Sequence, residues 1–237
     1  MKTQGLLDQL LKTAQSSLGG GGLESLLGGG NTPARYEGKK EEKRGLLNAD
    51  FGKGALAGGA LGLLLGNKKM RKMGGKLALY GGVAAVGVLA YKAYGEYRKQ
   101  QDGNAAEPQT VDRLPPPQAE LHSQAILKAL VAAAKADGHI DAREREVIEG
   151  EFTRIDNDPG LRQWLHAELE KPLDPAEVAR AASTPEMASE MYLASLLAAD
   201  EQSFMERAYL DELARQLKID DALKARLEAQ LREAGEG

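Results

Sequence analysis

The sequence predicts an all-α protein, with a seven-helix C-terminal bundle preceded by a glycine-rich hydrophobic helical segment and a flexible N-terminal region. Two observations predict this division. Helix-start signals recur throughout residues 119–237, each followed by apolar residues at helical spacing. Of the 28 glycines, 23 lie at or before Gly103, where two nearly uncharged apolar runs, Gly54–Gly66 and Leu77–Tyr94, also lie. So uneven a composition disfavours a single globule.

Charge divides the chain in the same way. Residues 1–106 hold 16 Lys and Arg against 8 Asp and Glu, a net charge of +8, whereas residues 107–237 hold 15 against 27, a net charge of −12. A basic half with apolar runs suits an anionic membrane surface, and the acidic half disfavours nucleic acid because phosphates would be repelled. We therefore expect a membrane partner for the first half and basic proteins or cations for the second. The chain has no cysteine, which excludes disulfides and thiolate metal sites.

Residues 1–52 are predicted to be flexible apart from one short amphipathic helix. Leu6, Leu7, Leu10 and Leu11 fall on one side of that helix. Glycine clusters and a charged segment follow it, and such a composition buries too little apolar surface to offset the entropy of ordering. A small docking motif at Leu23–Leu27 is the alternative to a simple tether. No long apolar core precedes a cleavage site, so a cleavable signal peptide is not expected.

Residues 53–100 are predicted to form a membrane anchor. Four glycines recur every four residues in the first run, and this spacing lets a second helix approach closely, which predicts self-association through Gly54, Gly58, Gly62 and Gly66. The second run has tyrosines near its ends and flanking basic residues, which favours a single span at 77–94. A two-helix hairpin turning at 67–76 and a soluble buried hairpin are the alternatives. The side of the membrane that carries the C-terminal domain stays open.

Residues 101–118 are predicted to be a proline-rich linker, in which Pro115–Pro117 favour an extended spacer. The helical domain at 119–237 then shows repeated N-caps. Asp or Thr followed by Pro marks three helix starts, and Ser203 with Glu206 and Asp141 with Glu144 form capping boxes. The helix after Ser203 carries an apolar face of Met205, Tyr209, Leu210, Leu213 and Leu217, and Asp220 begins the last helix.

Four carboxylates form the candidate site. Two helix-turn-helix stretches look related, and if they pack about a pseudo-twofold they bring together Asp137, Glu144, Asp200 and Glu206. Carboxylate oxygens suit a hard divalent cation such as Ca²⁺ or Mg²⁺. The competing interpretation is structural, because Asp137 and Asp200 lie at turns and the two glutamates stand where a capping box places them. The loop also lacks the alternating ligands of an EF-hand.

The strings AAAKADGHIDAREREVIEGEF and DEQSFMERAYLDELARQLKI resemble the TerB-like helical domain of tellurite-resistance proteins. The whole layout, with its glycine-rich N-terminus, hydrophobic segment, KPLDP and the final helical string, resembles the YebE family of bacterial inner-membrane proteins, a family of unknown function. The resemblance covers nearly the entire chain. It implies an all-helical fold, a location in the bacterial inner membrane, and a metal or partner site at the four carboxylates.

These features favour a membrane-anchored interaction or sensor module, in envelope or metal stress, over an enzyme. No nucleophile elbow, P-loop or dinucleotide fingerprint occurs in the sequence. One alternative is a cation-dependent hydrolase that uses Asp137, Glu144 and Asp200, and another is a structural oligomer built on the four-glycine face. The three histidines have no ligand spacing and are predicted to be surface or packing residues.

Overall fold

The computed structural model describes residues 3, 5, 7, 83–101, 106–136, 145–146, 148–150, 153, 158–199 and 203–236. Within these ranges the regular secondary structure is entirely helical, so the all-α prediction is confirmed. Helices with defined bounds are α1 Val83–Gln101, α2 Pro116–Ala134, α3 Pro159–Glu170, α4 Pro175–Ala179, α5 Pro185–Ala198, α6 Phe204–Gln216 and α7 Asp221–Glu236. Residues 145, 146, 148–150 and 153 are also helical, as are residues 3, 5 and 7.

Helix α5 is the centre of the bundle. Every residue from Met187 to Ala198 is buried, and α5 contacts α1, α2, α6 and α7. Helix α6 also packs on α4, and α2 also packs on α3. A helix that is apolar on all sides needs neighbours on all sides, which explains why the remaining helices surround α5.

Side-chain caps start five of these helices where the sequence predicts them. Asp158 accepts hydrogen bonds from the backbone N–H groups of Gly160 and Leu161, at 2.7 and 3.2 Å. The same role is played by Asp174 for α4, Thr184 for α5, Ser203 for α6 and Asp220 for α7. Each cap satisfies backbone donors that have no partner within the helix. The predicted capping box at Asp141 lies outside the described residues.

The second apolar run contributes to the bundle through α1. Val83, Val86, Ala90 and Ala93 are almost completely buried, and α1 packs against α5 and α7. Tyr97 donates a hydrogen bond from its hydroxyl to Asp220 at the start of α7. The described part of the predicted span 77–94, from Val83 onward, is therefore packed against other helices of the bundle. No helix of the described ranges is both long enough and apolar enough to cross a bilayer.

Gly87 shows why a glycine-rich helix suits this position. A Cβ on Gly87 would lie 2.9 Å from Val111 Cγ1 and closer still to Asp112 Oδ1. The segment before α2 therefore approaches the α1 backbone more closely than any side chain allows. Thr110 and Val111 are buried in this contact.

The predicted linker 101–118 thus differs from the observed chain, which is packed against the bundle at residues 110 and 111. Two of its prolines belong to a helix and not to the predicted extended spacer, because α2 begins at Pro116 and includes Pro117. Proline is tolerated in the first helical turn, where its missing N–H would have no helical partner. The four glycines of the first apolar run lie outside the described residues.

Candidate functional site

The start of α6 carries the described part of the predicted site. Glu206 is 8% exposed, and its backbone N–H lies 3.5 Å from the Ser203 hydroxyl oxygen that caps the helix. This contact is the half of the capping box in which the serine accepts from the third helical residue. Glu206 is therefore placed as a capping residue should be. Asp137, Glu144 and Asp200 lie outside the described residues, so the predicted cluster of four stays a prediction.

A metal centre has no support elsewhere in the described ranges, which contain no group of three or more His, Asp or Glu side chains placed to hold an ion. The predicted Ca²⁺ or Mg²⁺ site includes three residues beyond these ranges and stays a prediction.

Two large apolar side chains project into solvent next to Glu206. Phe204 is 76% exposed and Met205 is 58% exposed, whereas Tyr209 and Leu210 of the same helix are buried. The predicted apolar face of α6 is confirmed from Tyr209 onward, but Met205 is not part of it. We call Phe204 and Met205 the apolar patch.

Sequence reasoning missed a buried polar cluster between α2, α5 and the segment before α2. His122 Nδ1 lies 2.5 Å from Glu190 Oε2, and Glu190 Oε1 accepts a hydrogen bond from the Val111 N–H at 2.6 Å. Glu190 is completely buried and His122 is 5% exposed. Burial raises the pKa of the Glu190 carboxyl, while the hydrogen bonds from His122 and Val111 and the His122 charge oppose that rise; nearby Asp112 adds to it.

This cluster fastens the chain around residue 111 to the central helix. Each carboxylate oxygen of Glu190 has a partner, which is what a buried acid requires. His122 is therefore a packing histidine, as predicted, but one with a specific acidic partner. The sequence signal was Glu190 itself, a single acid in the otherwise uncharged stretch MASEMYLASLLA.

Lys135, at the end of α2, has an architectural role. Its Nζ donates hydrogen bonds to the carbonyl oxygens of Glu168, at 2.9 Å, and Lys171. These carbonyls lie at the C-terminal end of α3, where the helix leaves acceptors without partners. Burial lowers the pKa of Lys135, and the charge of Glu168 opposes that change. The lysine joins the end of α2 to the end of α3.

An open groove of about 360 Å³ lies beside α3. His166 is exposed there, as predicted for a surface histidine, and its Nδ1 lies 2.7 Å from Glu149 Oε1. The hydrogen bond to Glu149 and the charges of Glu149 and Glu170 raise the pKa of His166. The lining residues are Glu149, Thr153, Pro159, Arg162, Gln163, Leu165 and His166. Its charged groups have both signs, so the groove favours neither anions nor cations.

The fold and the site define a helical-bundle protein with an exposed apolar patch beside a capping acid. Comparison with known families then gives the particular family. The chain belongs to the family described as "Protein of unknown function (DUF533)", whose model matches residues 50–231. The matched range includes both apolar runs and the bundle up to Leu231 of α7.

A curated relative from Yersinia enterocolitica, described as "Uncharacterized protein in ampR 5'region", is 36% identical over 110 residues. The alignment covers 46% of this chain and 79% of the relative. No solved structure matches the chain.

Proposed function

We propose that this protein is a non-enzymatic interaction module of the bacterial inner membrane. In this proposal the basic N-terminal half associates with the membrane, and the acidic helical domain, TerB-like and of seven helices, binds a basic protein partner at the start of α6. The single observation that carries the proposal is the apolar patch of Phe204 and Met205. In the sequence, Asp200, Glu201 and Glu206 lie within a few residues of it.

The chemistry of the patch supports a protein partner. Exposed large apolar side chains that adjoin each other mark interaction sites more often than scattered ones do. Protein interfaces commonly have an apolar or aromatic centre with a polar rim. The sequence just before the patch is acidic at Asp200 and Glu201, which favours a basic partner, since complementary charge steers association and selects against acidic competitors.

Site-specific photo-crosslinking in cells tests the partner part of this proposal. A photoreactive phenylalanine analogue replaces Phe204 in one variant, and in the control it replaces Arg232, an exposed residue of α7. We expect a discrete adduct at position 204, absent at 232, that weakens when cells are lysed at high salt before irradiation. Equal adducts at both positions, or none at position 204, would contradict the proposal.

The membrane part needs a variant that keeps the bundle intact. Deleting 54–94 would remove buried residues of α1, so a loss of membrane association could reflect unfolding. Replacing Leu61, Leu63, Leu64 and Leu65 by Asn leaves every described residue unchanged. We expect the wild-type chain to stay with membranes on alkaline extraction and the variant to be released. Release of the wild-type chain would contradict membrane insertion through the first run.

A further inference from the structure

The first residues of the chain lie against the helical bundle. The Thr3 backbone N–H donates a hydrogen bond to Glu120 Oε1 at 2.7 Å, and the Thr3 hydroxyl donates to the same oxygen. Leu7 is completely buried and belongs to the main hydrophobic core. Thr3 and Leu7 are one helical turn apart, so they share one face of a helix.

Gly5 lies on the opposite side of this short helix. It is exposed, and a Cβ built on it would meet nothing within 4 Å. The described residues of the N-terminal segment are therefore bound through one face, with a polar contact at Thr3 and an apolar contact at Leu7. Such a two-part contact is the pattern of an amphipathic helix lying in a groove.

The receiving surface is at the beginning of α2. Glu120 is near the start of that helix, and its Oε1 also accepts a hydrogen bond from Gln124 Nε2 at 3.2 Å. One acceptor atom thus serves three donors, two of which belong to Thr3. Leu121, the next residue, is 58% exposed. The bundle therefore holds the segment through the Glu120 carboxylate at Thr3 and through the main hydrophobic core at Leu7.

We infer that this part of α2 is a helix-binding surface and that the N-terminal segment of the chain is its reversible occupant. The inference deepens the proposed function and rests on it, because an interaction module gains a regulated site if the occupant can leave. Among the described residues, one buried leucine and one shared carboxylate offset the entropy of ordering the segment. Covalent attachment favours binding within the chain through a high effective concentration.

Peptide exchange on the full chain tests the inference. A fluorescent synthetic peptide of residues 1–18 is titrated with wild-type protein, with Leu7→Asp and with the control Gly5→Asp. The two variants introduce the same charge two residues apart, one on the bound face and one on the open face. We expect Leu7→Asp to release its own segment and to bind the peptide at least about tenfold more tightly than wild type does. Gly5→Asp should bind it as wild type does.

A second variant keeps the test valid if Leu7→Asp does not fold. Thr3→Val removes the hydroxyl donor but keeps the size of the side chain, and it should also bind the peptide more tightly than wild type. Fluorescence of Trp164, the one tryptophan, reports whether each variant is folded. Equal peptide affinity for wild type and the folded variants, or no binding by any of them, would overturn the inference. Cross-linking at position 204 does not use the peptide, so failure of the proposed function is distinguishable from failure here.

Discussion

Two glycines of α1 should respond in opposite ways to the same substitution. Gly87→Ala places a Cβ within 2.9 Å of Val111 Cγ1 and against Asp112, so the segment before α2 must shift. Gly95→Ala places its Cβ 3.5 Å from Pro108 Cγ, an ordinary van der Waals distance. Both substitutions lower the backbone entropy lost on folding, because alanine favours a helix by about 0.8–1 kcal/mol over glycine.

The steric clash decides whether Gly87→Ala raises or lowers the free energy of unfolding. Overpacking of a tightly packed site costs about 1–3 kcal/mol, which exceeds or matches the gain in helix propensity. The Asp112 carboxylate also accepts a hydrogen bond from the Thr110 hydroxyl at 2.6 Å, which a shift would disturb. We therefore expect Gly87→Ala to lower the free energy of unfolding by about 0–2 kcal/mol and Gly95→Ala to raise it by about 0.5–1 kcal/mol.

Urea unfolding followed by Trp164 fluorescence measures both values, since this side chain is half-buried and packs against the core. The decisive quantity is the difference between the two variants in the change of the free energy of unfolding. The gain in helix propensity is the same for both variants and cancels in that difference. A helix surrounded by lipid would have no Val111 or Asp112 beside Gly87. Equal changes for the two variants would therefore refute the packing of α1 against the segment before α2.

Three further predictions concern pH, a helix end and a helix start. Burial raises the Glu190 pKa, so the stability that Glu190 itself contributes is present below its unfolded-state pKa and should fall by up to about 1.4 kcal/mol per pH unit as the pH rises through the folded-state value. Glu190→Gln should remove this part of the pH dependence, and identical slopes for the two proteins in urea unfolding at several pH values would exclude Glu190 as its source. Lys218 ends α6 with φ of 58°, so Lys218→Gly should stabilise the chain by about 1 kcal/mol in thermal unfolding, and destabilisation would contradict strain there. Thr184→Ala removes the acceptor for the Met187 N–H at 3.1 Å and should cost about 1 kcal/mol, whereas Thr184→Ser should cost much less.

Local signals explain which parts of the fold could be predicted from the sequence. At Asp158, Asp174 and Thr184, each cap accepts from a backbone N–H no more than three residues later in the chain. A proline directly follows each of these three residues. Their chemistry is complete within a few residues of the sequence. The starts of α3, α4 and α5 therefore coincide with the predicted ones.

The position of α1 could not be predicted in this way. An apolar helix of this length has the same pattern whether lipid or other helices surround it. A protein environment differs from a lipid one by contacts with distant parts of the chain, such as Tyr97 with Asp220 and Gly87 with Val111. The pair of His122 and Glu190 was missed for the same reason, since 68 positions separate the two residues. The isolated acid in α5 indicated that a partner was needed but not which one.

The packing of α1 changes how an anchor would hold the bundle. With a proline-rich spacer at 101–118, the bundle could stand away from a membrane-bound α1. Since α1 is itself part of the bundle, the connection from the first apolar run is limited to residues 67–82. Sixteen residues reach at most about 55 Å when fully extended. This stretch carries five lysines and arginines, which an anionic surface attracts. If the first run inserts, the start of α1 therefore lies within about 55 Å of the lipid, and a basic partner at Phe204 binds a bundle that is held near the membrane.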